Sequence, residues 1–124
     1  MKLPKGLKIK DIKIGVGETA SKGRIVLIHY DCYLPRGEKC GTSRDRPYPA
    51  QIKIGERDVF VGLEYGVYGM AVGGIRSVLV SHQLTHQERK VNPSLPLQAS
   101  LRYEIELLKV SDNWDNFVTL DRSS

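Results

Sequence analysis

This chain of 124 residues has no long apolar run, and only 7% of its residues are aromatic. No apolar run approaches the roughly 20 residues that a membrane-spanning helix needs. The N-terminus, MKLPKGLKIK, is basic and lacks the apolar stretch of a secretory signal. We therefore expect a cytoplasmic protein without membrane attachment.

Cysteine is also scarce, since Cys32 and Cys40 are the only two. Two cysteines are too few for a disulfide framework, and their spacing does not match a zinc site. His82 and His86 have the spacing of two metal ligands on a helix, but the sequence around them has no helical period. We expect no metal and no other cofactor.

The net charge of +5 raises the question of nucleic-acid binding. Basic residues without stacking aromatic side chains supply only the sequence-independent part of such binding. The N-terminal lysines instead alternate with apolar residues, as on the exposed side of an edge strand, where lysine is common. They are Lys2, Lys5, Lys8, Lys10 and Lys13. We expect no nucleic-acid partner.

A period of two, the strand period, dominates the pattern of apolar residues. The C-terminal segment from Leu101 to Leu107 alternates strictly, and the first strand changes phase between Ile9 and Ile12, which predicts a bulge. The predicted strands are residues 7–14, 24–34, 38–42, 50–54, 76–82 and 101–107.

One helix is predicted from Asp58, as the N-cap, to Val67, because Phe60, Leu63 and Val67 then share a face. The fold class is therefore α+β, a curved antiparallel sheet forming a half-barrel around one short helix. Residues 82–98 have no period and contain two prolines, so they predict a long loop.

Two local features remain open on sequence grounds. A loop over residues 35–37 would place Cys32 directly opposite Cys40, either as two thiols or as a disulfide. We also predict a domain over residues 1–110 and a tail over residues 111–124. In the tail, Trp114, Phe117 and Leu120 have a three-residue spacing, which favours docking of their side chains on the domain.

Seven short motifs in order give the chain a marked resemblance to the FKBP family of peptidyl-prolyl isomerases. They are Gly23 with VLIHY (26–30), residues 34–37, TSRDR (42–46), Ile54-Gly55, GLEYGV (62–67), GMAVGG (69–74) and ASLRYEIELLK (99–109). The resemblance covers about nine tenths of the chain and implies the fold predicted above. It also implies cis–trans isomerisation of Xaa-Pro bonds, with proline-containing peptides or protein clients as partners.

This reaction needs no nucleophile, metal or cofactor. Rotation about the amide has a barrier of about 18–20 kcal/mol, because twisting destroys the C–N resonance. An apolar pocket favours the twisted, less dipolar amide by desolvation, and placed hydrogen-bonding groups orient the flanking carbonyls.

Carried over residue by residue, the resemblance implies a substrate pocket that is partly kept and partly altered. Family residues or close relatives stand at Tyr30, Arg46, Val59, Leu95 and Tyr103, an acidic residue at Asp58, and Phe60 in place of an isoleucine. Leu63 replaces a tryptophan floor, Cys40 and Ala50 replace aromatic walls, Gly41 replaces an aspartate that pairs with Arg46 and Tyr30, and His86 replaces a tyrosine donor.

A smaller floor and smaller walls make fewer contacts with a prolyl ring, and each 1.36 kcal/mol lost from transition-state binding lowers the rate about tenfold. The first hypothesis is thus an FKBP-type isomerase with weak activity or shifted specificity, which binds the family's macrolide ligands weakly. The alternative is a catalytically inactive module that binds a peptide or protein partner in the same groove.

Overall fold

The structure is a computed structural model, and it describes residues 3–56 and 60–114. Its strands are β1 (Leu7–Lys13), β2 (Ile25–Tyr33), β3 (Lys39–Thr42), β4 (Ala50–Lys53), β5 (Ile75–Val80) and β6 (Leu101–Ser111). The helices are α1 (Val61–Val67) and the short α2 (His86–Val91). The predicted α+β class, with one main helix against an antiparallel sheet, is confirmed.

The strands form one six-stranded antiparallel sheet in the order β1-β5-β6-β2-β3. The fourth strand, β4, pairs with residues 25–28 of β2, while β3 pairs with residues 31–33. The pairing of β2 with β6 shifts register after Leu27, as expected for a bulge, which bends a strand locally.

Alternate residues of the central strands form the core. Ile28 on β2 and Ile105 on β6 are fully buried, and they belong to one cluster with Leu63 and Val67 of α1. Burying a side chain of this size contributes roughly 1.5–3 kcal/mol. The strict alternation of β6 therefore gives the sheet one face for α1 and one partly exposed face.

Two glycines let α1 approach the sheet closely. A Cβ atom on Gly62 would lie 2.5 Å from Val80 Cγ2, and one on Gly66 would lie 2.8 Å from Val78 Cγ2. At the other end of the helix, the Arg76 guanidinium donates to the carbonyls of Gly66 and Tyr68 at 2.9 and 2.8 Å. These donors satisfy carbonyls that a helix leaves open at its C-terminus.

The first strand is the exposed edge that its lysines predicted. Lys8, Lys10 and Lys13 of β1 are exposed, and β1 pairs only with β5 in the described sheet. Its register shifts between Asp11 and Lys13, so the bulge predicted from the change of phase is confirmed.

The predicted start of the main helix is wrong. The helix begins at Val61 with Phe60 at the N-cap position, where no side chain caps it. The Phe60 carbonyl accepts the first helical bonds, from the Leu63 and Glu64 amides at 3.0 and 3.1 Å. Asp58, the predicted N-cap, lies outside the described residues.

The prediction of a loop throughout residues 82–98 is also wrong. A 3-10 turn covers His82–Leu84 and α2 follows it. The Arg89 guanidinium donates to Thr85 Oγ1 at 2.6 Å and to the His82 carbonyl at 3.1 Å. These side-chain bonds hold a helix too short to be stable by itself, and apolar periodicity does not reveal them.

The two cysteines are not paired across the hairpin as predicted. Cys32 lies opposite Gly41 and Tyr33 lies opposite Lys39, so Cys40 is the extra residue of a bulge. Their sulfur atoms nevertheless lie 3.3 Å apart, and both thiols are free.

Docking of the predicted tail is not seen at Trp114, whose side chain is 49% exposed. Phe117 and Leu120 lie outside the described residues, and the division at residue 110 stays a prediction. Over residues 3–56 and 60–114, no helix is long and apolar enough to cross a membrane.

Candidate functional site

The predicted pocket residues lie on six elements of the fold and in the segments that join them. Tyr30 lies on β2, Cys40 and Gly41 on β3, Ala50 on β4, Leu63 on α1 and Tyr103 on β6. Phe60 precedes α1, His86 begins α2, and Leu95 follows it. Asp58 and Val59 lie outside the described residues, so their place in the site stays a prediction.

The structure brings the apolar members of this set together. Leu63 and Tyr103 are 3% and 1% exposed and belong to the core. The half-buried members pack against that core from several elements; they are Tyr30, Cys40, Ala50, Phe60 and Leu95. The rings of Tyr30 and Tyr103 meet edge to face, with centroids 5.8 Å apart.

A short loop after β3 fixes Tyr30. The Tyr30 amide donates to Ser43 Oγ at 2.8 Å, and the Ser43 amide donates back to the Tyr30 carbonyl at 2.9 Å. Burial raises the pKa of the Tyr30 hydroxyl, and the positive charge of Arg46 acts in the opposite direction. The hydroxyl therefore stays a protonated donor at neutral pH.

Arg46 is exposed and pairs with no carboxylate among the described residues. Asp31 on β2 lies 3.4 Å from Lys39 Nζ and 3.5 Å from Arg44 Nε, and accepts from Thr42 Oγ1 at 2.7 Å. Arg44 also contacts Glu106 at 3.1 Å. Arg44, and not Arg46, thus makes the ion pairs with Asp31 and Glu106.

The Cys32–Cys40 contact lies beside the predicted wall. Burial, followed by the Cys40 contact, raises the pKa of the Cys32 thiol, so Cys32 is held as a neutral thiol. Cys40 is half-buried. The Cys40 thiol is much smaller than an aromatic ring, so the predicted pocket wall presents less apolar surface at this position.

His86 is exposed at the start of α2. Its Nδ1 lies 3.4 Å from Arg89 Nη2, so this nitrogen faces its own helix. Over the described chain, no group of three metal-ligating side chains forms around His82 and His86 or elsewhere.

Sequence reasoning missed Glu88, which lies on α2 and is 4% exposed. Its Oε2 accepts a hydrogen bond of 2.6 Å from the Tyr103 hydroxyl. Burial raises the pKa of the Glu88 carboxyl above its usual range. Glutamate is almost never this buried, and nothing in the local pattern marks it as different from Glu38 or Glu56.

The fold and the clustered pocket residues agree with comparisons to known proteins. A family profile described as FKBP-type peptidyl-prolyl cis-trans isomerase matches residues 16–108. The chain belongs to this family. Its members isomerise Xaa-Pro bonds, so the activity that the resemblance implied is that of the family.

Three relatives illustrate the match. An FK506-binding protein of Neisseria meningitidis serogroup B is 35% identical over 85% of this chain and 96% of its own length. The chloroplastic isomerase FKBP16-4 of Arabidopsis thaliana is 36% identical over 90% of this chain and 51% of its own length. FK506-binding protein 4 of Aspergillus fumigatus is 33% identical over 86% of this chain and 21% of its own length.

An FKBP-type site holds a prolyl ring and excludes water from its amide, and the assignment of the described residues to such a site stays a prediction. The rings of Tyr30 and Tyr103 and the side chains of Phe60 and Leu95 supply an apolar surface on a rigid core. Such a surface excludes water from an amide as it twists.

Proposed function

We propose that this FKBP-type chain isomerises Xaa-Pro bonds with lower activity, or a different preference for Xaa, than members of the family that keep the aromatic walls and floor. The observation that carries the proposal is the packing of Tyr30, Phe60 and Leu95 against the core cluster that contains Leu63 and Tyr103. This surface can receive a prolyl ring.

The replaced residues explain the lower activity. Leu63 and Ala50 present less surface than aromatic rings would, and loss of a large aromatic from a packed site costs about 3–5 kcal/mol. Even half of that loss in transition-state binding would slow the reaction about tenfold or more.

The substrates proposed are Xaa-Pro bonds of proteins that fold in the cytoplasm. Uncatalysed cis–trans exchange of these bonds takes tens to hundreds of seconds and is slow enough to limit the rate of folding. Even a slow isomerase would therefore shorten this folding step. The family's macrolide ligands would bind weakly, because they fill the same altered pocket.

The test is NMR exchange spectroscopy on Ala-Xaa-Pro-Phe peptides with varied Xaa at high protein concentration. Cross-peaks between the cis and trans forms should appear with this chain and grow with its concentration. A Tyr30→Ala variant, checked for folding, should show less exchange. Absence of exchange for every Xaa would rule out the isomerase.

A second function, peptide binding without turnover, is favoured by one observation. At the position of the family's tyrosine donor, His86 directs Nδ1 at Arg89 of its own helix, 3.4 Å from Nη2. In that case the peptides would shift NMR signals of the site and show no cis–trans exchange.

A further inference from the structure

The feature that the isomerase mechanism leaves unexplained is the buried carboxyl of Glu88. One oxygen, Oε2, is bonded to the Tyr103 hydroxyl, but the other, Oε1, has no hydrogen-bond partner among the described residues. An unpaired buried oxygen destabilises the folded state. The unpaired Oε1 therefore offsets part of the stabilisation from the Tyr103 bond, so stability alone does not favour a glutamate at this position.

The Glu88–Tyr103 hydrogen bond joins two sides of the predicted pocket. Glu88 belongs to α2, in the segment that carries His86 and leads to Leu95. Tyr103 belongs to β6 in the middle of the sheet, and its ring contacts Tyr30. One side-chain contact thus joins α2 to β6 in the middle of the sheet.

Residues 82–91, called here the covering segment, are linked internally. Thr85 Oγ1 donates to the His82 carbonyl at 3.0 Å, and Arg89 donates to both residues. The 3-10 turn and α2 therefore move as one unit, and a contact at Glu88 holds the whole unit.

Several groups from the packed elements face the Glu88 carboxyl. Tyr103 approaches from β6, Tyr30 and Cys32 from β2, and Arg89 and His86 from its own helix. Desolvation is the largest effect and raises the pKa of Glu88, while the Tyr103 hydroxyl and the two cationic side chains lower it. Ionisation would therefore leave a poorly solvated charge beneath α2.

We propose that Glu88 is a positioning residue, which holds the covering segment closed over the prolyl site through its hydrogen bond to Tyr103. Closure keeps His86 and Leu95 in place beside a bound prolyl ring. The identity of the substrate rests on the proposed function, but closure is a property of the free protein and can be measured without any substrate.

The sign of the pH dependence follows from the raised pKa. The folded protein holds the Glu88 proton more tightly than the unfolded chain, whose pKa is near 4.5. The stabilisation of the closed form is complete below that value and is lost as pH rises through the folded pKa.

The first test is hydrogen exchange at two amides of the covering segment, corrected for the intrinsic effect of pH. The Arg89 amide donates to the Thr85 carbonyl at 3.2 Å and the Asn92 amide to the Glu88 carbonyl at 2.8 Å. In the wild type their protection should fall as pH rises above about 4.5. In E88Q, which keeps an acceptor and cannot ionise, it should stay level.

Two further variants separate the hydrogen bond from general helix stability. Tyr103→Phe and Glu88→Ala should lower protection of both amides about fivefold, which is the size of one hydrogen bond between neutral groups. Gln87→Ala, an exposed neighbour on the same helix, should match the wild type. Equal protection and equal pH dependence in the wild type, E88Q and E88A would overturn the proposal.

A catalytic readout distinguishes failure of this proposal from failure of the proposed function. If the chain is active, kcat should fall with rising pH in the wild type and stay level in E88Q, while E88A should lower kcat about tenfold. If no peptide is turned over and the amides still respond, the isomerase fails and the positioning role stands. If peptides are turned over but kcat does not change with pH and the two amides do not respond, the positioning role of Glu88 fails and the isomerase stands.

Discussion

At the scale of single residues, we expect Gly41 and Leu63 to limit how firmly the predicted site holds a prolyl ring. Gly41 has an ordinary φ, and a Cβ atom there would lie 3.6 Å from Cys32 Cβ, which is normal van der Waals contact. The backbone therefore accepts a side chain at this position. Leu63, 3% exposed, lies where a larger ring would extend the apolar floor.

Restoring the two family residues should restore activity. Leu63→Trp with Gly41→Asp adds floor surface and gives Arg46 a carboxylate, so we expect exchange of the peptides to rise about tenfold or more. Binding of a family macrolide should tighten in parallel. The measurement is NMR exchange, with circular dichroism to show that the variant is folded.

The matched control is Leu63→Trp with Gly41→Asn, which has the same shape without the charge. It should gain less than the aspartate variant if Arg46 is the partner. A folded aspartate variant with no gain in activity or affinity would mean that these positions do not line the pocket.

The residue that sequence could not find is Glu88. Charge patterning treats a lone glutamate between polar neighbours as exposed, and here that inference fails because Tyr103 offers a buried donor 2.6 Å away. Tyr103 itself was predictable, since it belongs to a strict alternation. Its partner was not, because the contact joins segments whose separation in space depends on the whole fold.

At the scale of elements, the sequence pattern predicted the strands, because a strand with one buried face needs alternating apolar residues. The alternation of β6 and the change of phase in β1 are properties of strands with one buried face, so both could be recognised from sequence. The helix α2 could not, because its six residues HQERKV contain one apolar side chain. Its stability comes from the bonds of Arg89 to the N-cap Thr85 and to the His82 carbonyl, and of Glu88 to Tyr103 on β6.

The close approach of α1 to the sheet should make Gly62 sensitive to substitution. In Gly62→Ala the new methyl group would meet Val80 Cγ2 at 2.5 Å, in a core where valine has little freedom to move. Overpacking of this kind costs about 1–3 kcal/mol, more than the gain of up to about 1 kcal/mol from replacing a helical glycine.

Urea unfolding followed by circular dichroism measures this effect. Gly62→Ala should lose up to about 2 kcal/mol of unfolding free energy, because the overpacking cost of about 1–3 kcal/mol is offset by a gain of about 1 kcal/mol in helix propensity. Gly41→Ala is the control, since its Cβ has room, and it should stay near the wild type. Equal stability of the two variants would show that α1 does not pack this tightly.

At the scale of the whole molecule, fold and activity separate. The family fold depends on the alternating strands and the glycine-lined helix contact, which this chain keeps. We expect the strength of catalysis to depend on a few side chains at the predicted rim and floor, where this chain departs from the family. Membership of the family therefore follows from most of the chain, whereas the proposed lower activity rests on very few positions.

The central claim is that the prolyl ring binds among Tyr30, Phe60, Leu63, Leu95 and Tyr103. The most direct measurement is to titrate an Ala-Leu-Pro-Phe peptide into protein with labelled methyl groups. Signals of Leu63, Leu95 and Ala50 should shift together and saturate, while exposed Leu79, beside a shallow groove lined by Gly6 and Ser81, should not. Shifts confined to Leu79 and its neighbours, or no shifts at all, would contradict the account.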